Sequence, residues 1–168
     1  MRRSEVWQAT HDAMVERLPA LDGKIHKARF SRFDEDELPA AVVFVFSDQG
    51  SNQSSGAPLL ASRSEISVEL FATGADDDAA AEAINALAES VEDALLRSPA
   101  WISLFRRVDE VGADFVMDDG ASFRLFACSL RITVEHTQAF DPDIDDADDL
   151  EHVRLQVGAA TADVDLEE

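Results

Sequence analysis

SEISVELFATGADDD, residues 64–78, changes its period partway along. Ile66, Val68 and Leu70 alternate with serine and glutamate, the pattern of a strand with one dry and one wet face. Three aspartates then open a helical stretch, where carboxylates suit the positive N-terminal end of a helix. Its apolar stripe is Ile84, Leu87, Val91 and Leu95, and Pro99 stops it. A strand with one dry face and a helix with one dry stripe bury both by stacking. The stretch therefore predicts a layered α+β fold.

Reading upstream, LPAAVVFVF (38–46) is short, β-branched and aromatic, a buried strand that begins at a proline. KIHKARF (24–30) alternates as a first strand. Trp7, Met14, Leu18 and Leu21 recur at helical steps, predicting an amphipathic helix over Ser4–Leu21, with Gly23 as its C-cap. His11 falls beside that stripe and reads as a packing residue. Downstream, Leu104–Met117 and Ser122–His136 read as two strands joined through Asp119-Gly120, a strong hairpin signal. Val153, Leu155 and Val157 suggest a short edge strand, and residues 159–168 an acidic, frayed tail. The expected architecture is one domain over 1–158, in the order α-β-β-β-α-β-β with a short final strand. It is a two-layer sandwich, an antiparallel sheet with two helices on one face.

Composition narrows the function. At 168 residues and 46% hydrophobic, the chain can bury a real core. Its net charge of −21 argues against gripping nucleic-acid phosphates. Residues 1–33 are net basic, so the rest carries the whole acid excess; only Lys24 and Lys27 are lysines and aspartate outnumbers glutamate, a bias that suits a high-salt source. No apolar run is long enough for a membrane span. Cys128 is the only cysteine and reads as a small buried hydrophobe. The four histidines fall in different elements, and no zinc-helix, phosphate-loop, dinucleotide or serine-nucleophile motif is present. Arg106 and Arg107 read as cross-strand ion pairs, and Trp101 and Phe105 as covers for the sheet end. No enzyme, metal or cofactor is expected.

DPDIDDADDLEH (141–152) begins like an EF-hand loop, with Asp141, Asp143 and Asp145 at its first, third and fifth positions. Asp146 occupies the place of the obligatory glycine, and His152 that of the bidentate glutamate. The segment is expected to be an acidic connection without calcium. SDQGSNQSSGAPLLAS (47–62) has no apolar period before Leu59, so it reads as a long loop, a length that compact domains usually reserve for function. Gln49, Ser51, Asn52, Gln53, Leu59 and Leu60 are its candidate partner-binding residues.

The order of elements resembles the tail terminator proteins of long-tailed phages, the lambda type and its relatives. The resemblance spans residues 4–157. It rests on LPA at 38–40 leading into a strand, on Arg63 before SEISVEL, and on an Asp-started helix ending at RSPAW. A long hairpin closing as LRITVEHT completes it. It implies a homohexameric ring that caps the tail tube protein, stops its polymerisation and meets the head–tail connector protein. DNA passes through the ring without specific binding. It places the protein in the virion neck, after assembly in the host cytoplasm. A head–tail stopper or adaptor, and an acidic regulator that mimics DNA, stay open as alternatives.

Overall fold

The computed structural model describes residues 1–29, 31–52, 59–118, 125–139, 152–157 and 160–165. Its centre is a five-stranded sheet of β1 (Ile25–Lys27), β2 (Ala40–Asn52), β3 (Leu59–Ala72), β4 (Arg107–Asp118) and β5 (Leu125–Ala139). Their order across the sheet is β1-β2-β3-β5-β4. Only β1 and β2 run parallel; every other pair is antiparallel. The helices are α1 (Arg3–Arg17), α2 (Asp77–Leu96) and the single turn α3 (Pro99–Ile102). The α+β architecture expected from the sequence is present, with two differences: the expected antiparallel sheet contains the parallel pair β1–β2, and α3 adds a helical turn to the expected order.

One face of the sheet carries the main core. Val43, Ile66, Val68, Leu70, Leu130 and Ile132 point into it and meet Val6 and Met14 of α1 and Ile84, Val91 and Leu95 of α2. Burial of this kind stabilises by about 25 cal/mol per Å² of apolar surface. Helix α1 ends four residues earlier than its periodicity suggests. Pro19 cannot continue the backbone ladder, and Pro19–Leu21 closes as one 3-10 turn instead. Its buried stripe is Val6, Thr10 and Met14, while Trp7 is partly buried and donates its Nε1–H to the Val43 carbonyl at 2.8 Å. The aspartates after Gly74 cap α2 as expected, Asp76 Oδ1 accepting from Ala79 N at 2.8 Å. Gly74 is needed for close approach, because a Cβ there would come within 2.3 Å of Ala80 N. Cys128 is fully buried, and burial pushes its thiol up to about 11, so it stays protonated and inert.

The opposite face is not bare. The segment between β1 and β2 folds across it, packing Phe33 and Leu38 on Ala40 and Val42, with Phe33 5.1 Å from the Phe71 ring. Arg29 clamps the segment with two bonds to the Glu37 carboxylate, at 2.7 and 2.8 Å, and lies 4.2 Å over Phe33. The guanidinium holds the Glu37 carboxyl down at about 2.

Several boundaries differ from the sequence reading. The first strand is three residues rather than seven, because Ala28 turns away at a φ of 52°. Ser98 caps an additional turn, α3, through Trp101 N at 3.3 Å. Trp101 belongs to the main core. It is buried against Phe105, edge to face at 4.8 Å, and donates its Nε1–H to Thr10 of α1 at 3.1 Å. The final strand is not an edge of the main sheet: β6 (His152–Val157) pairs with β7 (Ala160–Asp165) in a separate two-stranded sheet. Residues 160–165, expected to fray, instead pair antiparallel with β6. Asp119-Gly120 and residues 141–151 of the acidic run lie outside the described residues.

Candidate assembly surface

The main correction falls on SDQGSNQSSGAPLLAS. Ser47–Asn52 continue β2, and Leu59–Ser62 begin β3, so most of the expected loop is a twisted arm of the sheet. Polar residues with poor strand propensity extend here because β3 runs between two templates. Gln49, Ser51 and Asn52 pair with Arg63, Ala61 and Leu60, while Leu59 and Leu60 pair on their other side with Ala139 and Gln138. Gln49 and Ser51 are exposed and Leu60 half-buried. Leu60 is also less available than its sequence suggests. A Cβ on Gly50 would lie 3.0 Å from Leu60 Cδ1, so the leucine folds across the glycine. Gln53 lies outside the described residues. The arm gathers five of the six candidates but makes them rungs of a sheet, not the tips of a loop.

Small and polar residues line the arm on the helix side of the sheet. Ser62, Ser64 and His136 are buried, and Asp48 is mostly so. Ser64 donates its hydroxyl proton to Asp48 Oδ1 at 2.9 Å. A hydroxyl has one proton, so toward His136 Nε2, also at 2.9 Å, Ser64 accepts, and the neutral imidazole carries its proton on Nε2. Nδ1 is then a buried lone pair without a side-chain hydrogen-bond partner among the described residues. The trio contains the residue types of a hydrolytic triad but not its arrangement. A triad places the carboxylate on the far nitrogen of the histidine and the hydroxyl in reach of substrate. Here Asp48 lies on the serine's side, and Ser64 is sealed from solvent.

Burial lowers the His136 pKa below its ordinary value, against the raising effect of Asp48. Between that lowered value and about 6.5 the unfolded chain binds the proton and the folded one does not. Stability is therefore intact above about pH 6.5 and is lost as pH falls below it, by at most about 1.4 kcal/mol per pH unit. His26 is lowered too, chiefly by burial, and adds to the same trend. His136→Leu should remove the His136 share. Denaturant titrations at pH 7.5 and 5.5 are expected to show a smaller acid loss in the variant than in the wild type. Equal losses would place the titration elsewhere.

On the other face, arginines and acids cross the strands in one row. Arg107 reaches Glu135 at 3.1 Å and also pairs with Asp109, Arg106 reaches Glu135 at 3.3 Å, and Arg63 lies 3.8 Å from Asp109. This is the ion-pair role expected for Arg106 and Arg107. With Gln49, Gly50, Ser51 and Ser62, the Arg63, Arg107, Asp109 and Glu135 side chains border an open hollow of about 330 Å³. Exposed pairs of this kind contribute about 0–1 kcal/mol each.

Apolar exposure is concentrated on β4, which sequence parity alone did not reveal. Val111, Phe115 and Met117 lie on the helix side, 38%, 48% and 51% exposed, because no described helix extends over this edge strand. Val116 on the other side is 62% exposed. Among the described residues no group of acids, histidines and cysteines could hold a metal ion, and no helix is long and apolar enough to cross a membrane. No protein-family model matches this chain, and no curated protein matches it.

Proposed function

We propose that this chain is a ring-forming neck protein of a long-tailed phage, of the tail terminator kind. Six copies cap the tail tube, stop its growth and present a surface to the head connector, with DNA passing through the centre. The observation that carries this reading is β4. Its twelve residues form an outer strand whose hydrogen-bonding edge is open among the described residues, with a row of exposed apolar side chains. Such an edge is an association surface unless it is blunted. Head-to-tail contacts of this kind close into rings when the rotation between copies allows it. The acidic surface supports the reading, since a negative lumen lets DNA pass without holding its phosphates.

Each copy carries −21, so copies repel one another in dilute buffer. The Debye length falls from about 30 Å at 0.01 M salt to about 3 Å at 1 M. Assembly is expected to strengthen several-fold along that series, from monomer toward hexamer, in sedimentation experiments. A chain that stays monomeric at high salt and high concentration, with tail tubes added, is not a terminator.

A further inference from the structure

Among the described residues the sheet has a second open edge. Strand β1 occupies the outer side of β2 only at Ala41–Val43, and no described strand pairs with that side from Phe46 to Asn52. The two open edges face opposite directions, one at each end of the strand order. Three antiparallel steps separate β2 from β4, so the β4 of one copy runs antiparallel to the β2 of a copy placed beside it. We infer that the partner of the β4 edge is the distal half of β2 in a second copy of this chain, joining the sheets head to tail. The inference rests on the ring reading and assigns its subunit contact.

Register, apolar matching and charge support this occupant. The rows of the sheet run Val45, Ile66, Ile132, Val111 and Gln49, Arg63, Glu135, Arg107. Continued level into a neighbour, they set Val111 against Val45 and Arg107 against Gln49. A level continuation also keeps the helix sides of both copies on one side of the joined sheet. On that side a cleft of about 320 Å³ opens beside Val45, lined by Arg3, Ser4, Trp7, Ala28 and Phe44. Of the eight exposed large hydrophobics among the described residues, five lie on these edges: Phe46 at 79% on β2, and the four of β4. The β2 edge is also almost without charge. Between Phe46 and Asn52 only Asp48 ionises, and it is turned inward to Ser64. Pairing β4 with itself across a two-fold axis would instead bring Asp109, Glu110 and Asp114 of both copies to one seam, a costly arrangement in so acidic a chain.

The test is a disulfide ladder. Gln49 and Arg107 are both exposed and stand three strand spacings apart, roughly 14 Å, too far to bridge within one chain. Q49C/R107C in one chain, oxidised at high salt, should give covalent oligomers that climb to six, while Q49C alone and R107C alone give none. Dimers as the end product of either single variant would overturn the head-to-tail contact. So would the absence of a ladder while native mass spectrometry still shows assembled rings, and in that case the ring reading survives. If neither ladder nor ring forms at any salt concentration, the ring reading fails and this contact fails with it.

Discussion

Trp101→Ala should lower the melting temperature by about 10–15 °C. Replacing a buried tryptophan with alanine costs roughly 3–5 kcal/mol, and a domain of this size loses about 2–4 °C per kcal/mol. Trp101 is 1% exposed and joins three elements: its ring packs on Phe105, its backbone is capped by Ser98, and its indole N–H reaches Thr10. Thr10 in turn donates to the Val6 carbonyl at 2.8 Å, so its hydroxyl oxygen is the natural acceptor for the indole. Trp101→Phe keeps most of the ring volume and loses only that bond, so it should cost about 1–2 kcal/mol more than nothing and clearly less than alanine. Thermal melts followed by circular dichroism compare the two. A Trp101→Ala protein that melts within 3 °C of wild type would mean that α3 is not anchored as described.

The second large effect concerns the arm. Replacing Gln49–Gly56 with a short Asn-Gly turn should destabilise the fold, although a loop reading of this segment makes the exchange nearly silent. The replacement removes the pairings of Gln49, Gly50, Ser51 and Asn52 with Arg63, Ser62, Ala61 and Leu60. At about 0.5–1.5 kcal/mol net per hydrogen bond, roughly 2–6 kcal/mol is at stake. The shorter connection returns only about 0.6 kcal/mol of closure entropy per halving of length. Urea denaturation measures the difference directly. A variant within 1 kcal/mol of wild type would show that these rungs contribute little and that the segment behaves as a loop.

The contrast between arm and core explains what could be read from residues alone. Strands such as VVFVF and the Ile66–Leu70 alternation announce themselves because large apolar side chains face a helix layer. The arm hides because its inward positions hold Asp48, Gly50, Ser62 and Ser64, which have weak strand preference and no hydrophobic period. Its strand character comes from β5, more than 70 residues away in sequence, which lies along β3 as far as Ala139. A usable signal was present in β3, whose even positions continue backward from Ile66 through Ser64 and Ser62 to Leu60. The third helix had a signal as well, since Ser98-Pro99 is a capping serine before a first-turn proline. The exposed side of β4 had none. Parity places Val111, Phe115 and Met117 on one face, but only tertiary structure decides whether a helix extends over them. Of the candidate contact residues, Gln49, Ser51, Asn52, Leu59 and Leu60 lie in strands rather than in the expected loop.

The buried relay of Asp48, Ser64 and His136 has a consequence for how the arm closes. A long strand pair rich in serine and glycine can ratchet: sliding by two residues keeps every side chain on its original face, so apolar burial does not oppose the slide. The relay does oppose it. After a two-residue slip of β2 along β3, Asp48 no longer meets Ser64, and a desolvated carboxylate and the Ser64 hydroxyl proton are left unmatched, at about 1–3 kcal/mol for the neutral group and more for the charge. Three polar side chains thus act as a key that admits one alignment of the arm, where oil-like packing would have accepted several.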